Sequence, residues 1–253
     1  MPLFTELQMF KAAVILATLA LGSYMDLKKR EIEDKVWVIG GIAGLPITIL
    51  QLVSGPELAP AYLLSIGVTL LIVVVLAYAD MMGGADLKAF IMLALLELPS
   101  SRTRLTVFPA ISVLVNSVFF SLSMVLFIFL RNIKKIIRDE LHFGEDMGKA
   151  TRLIVLLSSY REKLGRVKAE PHKYFIMERV ENGRRVFRSS VKASVETTEL
   201  IRKLEASGVK DDEEVWVSPT IPMIAFIFIG YIAYLFLGDV VTPFLRFILV
   251  RKT

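Results

Sequence analysis

Asp26, in LGSYMDLKKR, and Asp86, in MMGGADLKAF, are two carboxylates at the ends of apolar stretches. An ionised side chain at membrane depth is costly and usually serves function there. Asp26 closes one apolar stretch and Asp86 opens another, so both can lie at a similar depth on one side of a bilayer. Two carboxylates brought together cannot both ionise cheaply, and they share a proton instead. Such a pair can activate a water between them. One carboxylate then acts as general base while the other, protonated, polarises a scissile carbonyl. Neither role belongs to one residue in advance, because a coupled dyad titrates as a pair. Gly83, Gly84 and Ala85 leave the backbone ahead of Asp86 nearly bare, so a peptide can approach main chain closely. Lys88 stands where it could steady a carboxylate. Asp80, which also borders a span, is the rival for the second position. Glu31 and Asp34 read as solvated loop charges, and Asp239 as a helix stop.

The elements that must position this pair are membrane helices. The chain has 253 residues, 55% of them hydrophobic, with a mean hydropathy of +0.60. The apolar residues come in long runs, which sets the chain apart from an ordinary soluble domain. The net charge of +5 suits basic cytoplasmic loops better than nucleic-acid binding. The absence of cysteine excludes disulfides, thiolate catalysis and cysteine-based zinc or iron–sulfur sites.

Six apolar segments can be marked, at 8–25, 36–53, 60–79, 86–98, 105–130 and 221–238. About 20 residues cross a hydrocarbon core, and the fourth segment, bounded by Lys88 and Glu97, is short. Charge decides in favour of six spans. Lys28, Lys29, Arg30 and Lys35 place the first loop in the cytoplasm. The loop from Ser54 to Ala59 lacks Lys and Arg and lies outside. If the fourth segment spans, Arg102 and Arg104 fall outside, but Arg131, Lys134, Lys135 and Arg138 reach the cytoplasm. Both termini are then outside. The sequence ALGSYMD offers no clean cleavage site, so the first segment reads as a span rather than a removable signal.

Residues 131–217 form one large polar, net basic insert, expected to be a small α+β cytoplasmic domain. Segment 149–164 looks basic and amphipathic. KYFIMERV and RRVFRSSV flank Glu181-Asn182-Gly183, a hairpin signal. VETTELIRKLEASG reads as a helix closed by Gly208. The expected fold is a membrane all-α bundle of six transmembrane helices with this domain inserted before the last. The expected division is 1–130 for five spans with both aspartates, 131–217 for the soluble domain, and 218–253 for the last span and tail.

Other chemistries find little support. His142 and His172 are far apart and no HExxH occurs, which argues against a zinc protease. GEDMGKAT at 144–151 is one residue short of a P-loop. No GxSxG is present. Gly40 and Gly44 form a small-xxx-small pair suited to helix contact. Trp37 and Trp216 suit interfacial belts.

MMGGADLKAF resembles the GxGD signature of intramembrane aspartic peptidases, specifically the type IV prepilin peptidase family. Asp26 followed by LKKREIEDKVW resembles the other half of that site. The polar domain before the last span and the SPTIPMIAF segment are similar to the archaeal preflagellin peptidase branch. Ala85 departs from the pattern by replacing its second glycine. The cysteine-rich domain of many bacterial members is absent, so their N-methyltransferase activity is not expected. The resemblance implies an endopeptidase with Asp26 and Asp86 catalytic and Gly83, Gly84, Ala85 and Lys88 supporting. No metal or cofactor is needed. The implied partners are preflagellin or pilin-like precursors, cut behind a short basic leader at the cytoplasmic face of the cell membrane, with membrane lipid around them and no nucleic acid. The two carboxyls are expected to start apart and meet on substrate binding, because like charges repel and each has basic neighbours of its own. The competing class is a proton-coupled transporter using the carboxylates as relays. The lack of an inverted repeat and the small number of spans speak against it.

Overall fold

A computed structural model describes residues 2–99, 107–141, 143, 147–181, 184–187 and 197–244. Arg102, Arg104, His142, the 144–146 part of GEDMGKAT and the Asn182-Gly183 turn lie outside the described residues. In chain order the elements are α1 (Pro2–Lys29), α2 (Asp34–Ser54), α3 (Ala59–Tyr78), α4 (Gly84–Leu96), α5 (Pro109–Ile137) and α6 (Lys149–Ser158). There follow β1 (Tyr160–Lys163), α7 (Leu164–Ala169), β2 (Tyr174–Ile176), β3 (Glu178–Glu181), β4 (Arg184–Phe187), α8 (Thr197–Ala206), β5 (Glu214–Pro219) and α9 (Met223–Leu237). The chain divides into two units, 1–121 with 222–253, and 122–221.

The first unit is helical. Among the described residues four helices, α1, α2, α3 and α5, are long and apolar enough to cross a membrane. The remaining two of the six apolar segments form shorter helices, α4 and α9. At about 1.5 Å per residue α4 is about 20 Å long, short of the roughly 30 Å hydrocarbon core. It is also the hub of the bundle. Ala89, Phe90, Met92, Leu93, Ala94 and Leu96 are all buried, and α2, α3 and α9 pack around them. A helix that is apolar on every side belongs inside, and α4 is wrapped by helices that turn much of their own surface outward.

Small residues permit this close packing. A Cβ on Gly40 would lie 2.5 Å from Thr18 Oγ1 of α1, and one on Gly44 would lie 2.8 Å from Leu96 of α4. The pair therefore serves helix contact, as its spacing suggests. Gly230 of α9 is tighter still against α5. A Cβ there would meet Ser117 Oγ at 2.5 Å, and also the Ser117 N and Val113 O of the backbone. Backbone cannot rotate away. Gly230→Val is therefore expected to cost about 1–3 kcal/mol through overpacking, read as a lower thermal midpoint in detergent. An unchanged midpoint would show that α9 has room to shift.

The second unit is α+β. β5 is the centre of a three-stranded antiparallel sheet of order β1-β5-β2. Its alternation divides two small cores. Val215 and Val217 join Tyr160, Leu164, Ile176 and Leu204 on one side, while Trp216 joins Leu141, Val155 and Met177 on the other. The hairpin forms as β3 and β4, with Glu181 opposite Arg184. α8 buries Leu200, Ile201 and Leu204, and Gly208 follows at φ +87°, a left-handed closure that glycine adopts without strain. Both tryptophans depart from the expected interfacial belts. Trp216 is buried with its ring 6.1 Å from those of Phe143 and Phe187. Trp37 is buried over Gly22. In each case the apolar area of the indole is used in a core.

Candidate active site

Asp26 lies in the last turn of α1, and Asp86 lies at the third position of α4. α1 ends where Arg30 enters the left-handed region at φ 58° and its N–H donates to Asp26 O at 3.0 Å. That turn folds the side chain back, so the Arg30 guanidinium reaches Asp26 Oδ1 at 3.4 Å. The Asp26 carboxylate is buried, and its Oδ2 has no hydrogen-bond partner among the described residues. A buried acceptor without a donor is costly unless something arrives to fill it.

The start of α4 is built differently. Gly83 is the N-cap, and its N–H donates to Asp86 Oδ2 at 3.1 Å. The carboxylate closes the free amides of the first turn and lies at the positive end of the helix dipole. A Cβ on Gly83 would come within 3.3 Å of that oxygen, whereas one on Gly84 would meet nothing. Ala85 has an ordinary negative φ in the first turn, since the described non-glycine residues with positive φ are Arg30, Asp80 and Asp139. The alanine therefore meets no backbone strain where the signature has glycine.

Asp26 lies close enough for its charge to act on Asp86, and Arg30 acts on both carboxylates. Each keeps its own polar partner, Arg30 for Asp26 and the Gly83 amide for Asp86. Lys88 points elsewhere, to Asp34 Oδ1 at 2.5 Å, and so ties α4 to the first turn of α2. Asp34, read from the sequence as a solvated loop charge, is exposed but opens α2 and makes a helix-to-helix contact. Asp80 is exposed in the turn that closes α3. Asp239 does more than stop a helix, because it accepts the N–H of Thr242 at 2.7 Å and caps the turn after α9. Arg30 was the partner that sequence reading missed. The i,i+4 spacing from Asp26 was the available signal.

The far end of α4 is pinned. Thr48 Oγ1 donates to Leu96 O at 2.8 Å, and Tyr62 Oη to Leu95 O at 2.7 Å. Glu97, buried, accepts from Tyr231 Oη at 2.5 Å. Lys11, also buried, donates to Gln51 Oε1 at 2.7 Å and lies in electrostatic range of Glu97. Neither charge was expected inside the bundle.

Comparison with known proteins gives the chemistry a name. Residues 13–130 match the model of the type IV leader peptidase family, and residues 151–240 match the archaeal peptidase A24 C-terminus, type II. A preflagellin peptidase of Methanocaldococcus jannaschii is 28% identical over 237 residues, covering 87% of this chain and 91% of that protein. Neither comparison points to a carrier. With these matches, the multi-pass helical chain is a peptidase of the aspartic type. The chain belongs to the type IV leader peptidase family, whose two models together take in most of its length.

Proposed function

We propose that this protein is an intramembrane endopeptidase that removes the short basic leader from preflagellin or related pilin-like precursors, with Asp26 and Asp86 as its catalytic pair. The observation that carries the assignment is their placement. One ends α1, the other begins α4, and the charge of Asp26 acts on Asp86. The unpartnered Oδ2 of Asp26 is a ready acceptor for the attacking water. In this reading the ionised carboxylate takes a proton from water as the oxygen bonds to the scissile carbonyl carbon. The protonated carboxyl donates to the carbonyl oxygen. Collapse breaks the C–N bond as the leaving amine takes the proton that the first carboxyl drew from water, and the second carboxylate recovers its proton from the gem-diol. Gly83, Gly84 and Ala85 give the substrate main chain access, and Lys88 supports the site by holding α4 to α2.

In the same proposal α4 and α9 complete six spans, both termini lie outside, and the active site faces the cytoplasm. Residues 1–130 and 218–253 form the membrane part, and 131–217 the cytoplasmic domain. Purified protein incubated with a preflagellin in detergent should yield a product shortened at its N-terminus, read by mass spectrometry. An intact precursor under conditions where the protein remains folded would overturn the reading.

Ala85 provides a sharper test. Ala85→Gly should keep cleavage, because the position needs only a small residue. Ala85→Leu should lose at least about 100-fold, since misplacement by about 1 Å at a reacting centre costs that much. Full activity in the leucine variant would remove this turn from the substrate path.

A further inference from the structure

The helix α6 is turned the wrong way round for a soluble domain. It buries Val155 and leaves Leu153, Ile154 and Leu157 exposed, with Ala150 exposed one turn earlier. Those four positions follow the i, i+3, i+4, i+7 rule for one apolar stripe. The stripe faces outward. A contiguous apolar patch left exposed marks a surface that something covers.

α5 indicates what covers it. Its outward residues Leu122, Leu126, Phe127 and Leu130 are exposed and apolar, as lipid-facing positions are. The first charge after them is Arg131, followed by Lys134, Lys135 and Arg138. At about 1.5 Å per residue α5 is about 43 Å long, so its charged end projects beyond a roughly 30 Å hydrocarbon core into the headgroups. Asn132 stands at that boundary. Its Nδ2 donates to Leu156 O at 3.1 Å and to Ser159 O at 2.7 Å, which fixes the C-terminal end of α6 at the same level. The apolar stripe is therefore held where the lipid-facing surface of α5 ends. The charges agree. α6 has no acidic residue, and Lys149, Arg152, Lys134 and Arg138 are all exposed.

We infer that α6 is an interfacial helix, lying in the bilayer surface with Ala150, Leu153, Ile154 and Leu157 inserted among the upper acyl chains and the neighbouring lysines and arginines on anionic headgroups. Apolar faces of such helices sink about 5–10 Å past the headgroup boundary. The occupant is lipid, and the charge complementarity favours an anionic leaflet.

The protein contains no cysteine, so a single introduced thiol carries a unique label. Leu153→Cys, Leu157→Cys and, as a control on exposed α8, Lys203→Cys would each carry an environment-sensitive fluorophore. Each labelled full-length protein would be placed in phosphatidylcholine–phosphatidylglycerol vesicles, with or without lipids bearing a shallow nitroxide. The labels at 153 and 157 should emit as in an apolar medium, and the nitroxide should quench them about twofold or more beyond the label at 203. Ala150→Cys replaces either stripe variant that fails to fold. Water-like emission at the stripe would overturn the inference. So would apolar emission without lipid quenching, which would mean a protein partner covers the stripe.

Discussion

Asp26→Asn and Asp86→Asn should each lower precursor cleavage by at least about 100-fold, the range that a positioned acid or base contributes. Both variants should still insert and fold. Asparagine keeps the shape of each side chain, and the amide at position 86 retains an oxygen for the Gly83 N–H. What it removes is the ability to take and return a proton. Asp80→Asn should keep most of the activity, because Asp80 is exposed in the turn that closes α3. Initial rates on one precursor, with circular dichroism on each variant, decide the matter. If either the 26 or the 86 variant cleaves at the wild-type rate, the pair is not the catalytic machinery. If Asp80→Asn alone is inactive, the second carboxylate has been placed on the wrong side of the glycine turn.

The largest effect on stability is expected at the other end of α4. Lys11 and Glu97 are buried charges on separate elements, held by Gln51 and Tyr231. Removing one partner of a buried charged cluster leaves the other uncompensated and typically costs about 3–5 kcal/mol. Lys11→Met should therefore lower the thermal midpoint in detergent sharply. Lys11→Met combined with Glu97→Gln should recover much of the loss, because the neutral amide can still accept from Tyr231 Oη. A double-mutant cycle measures the coupling. Additive losses would show that the two charges are held independently. The cluster matters for the reaction because it anchors the helix that carries Asp86. The Thr48 and Tyr62 hydrogen bonds hold the same end, while the end that carries Asp86 is tied by the more exposed Lys88–Asp34 pair.

Local patterns made several elements legible in the sequence. The apolar runs produced α1, α2, α3 and α5, because crossing a membrane demands length and composition that nothing else in the chain requires. The hairpin of β3 and β4 and the glycine after α8 were readable because turn chemistry acts within a few residues. So were the two carboxylates at apolar ends, which stand out by residue type alone. The length of α4 was equally visible, but its meaning was not. A mostly apolar helix of thirteen residues suits a short span or a buried helix alike, and only the neighbours packed around Phe90 and Leu93 make it the hub. Lys88 meeting Asp34, Lys11 entering the bundle near Glu97, and Trp216 joining a core depend on which helices and strands become neighbours. Side chains brought together from 38 to 134 residues apart leave no local signal. Their pairing belongs to the tertiary structure, because a buried charge or indole takes whatever partner the packing supplies.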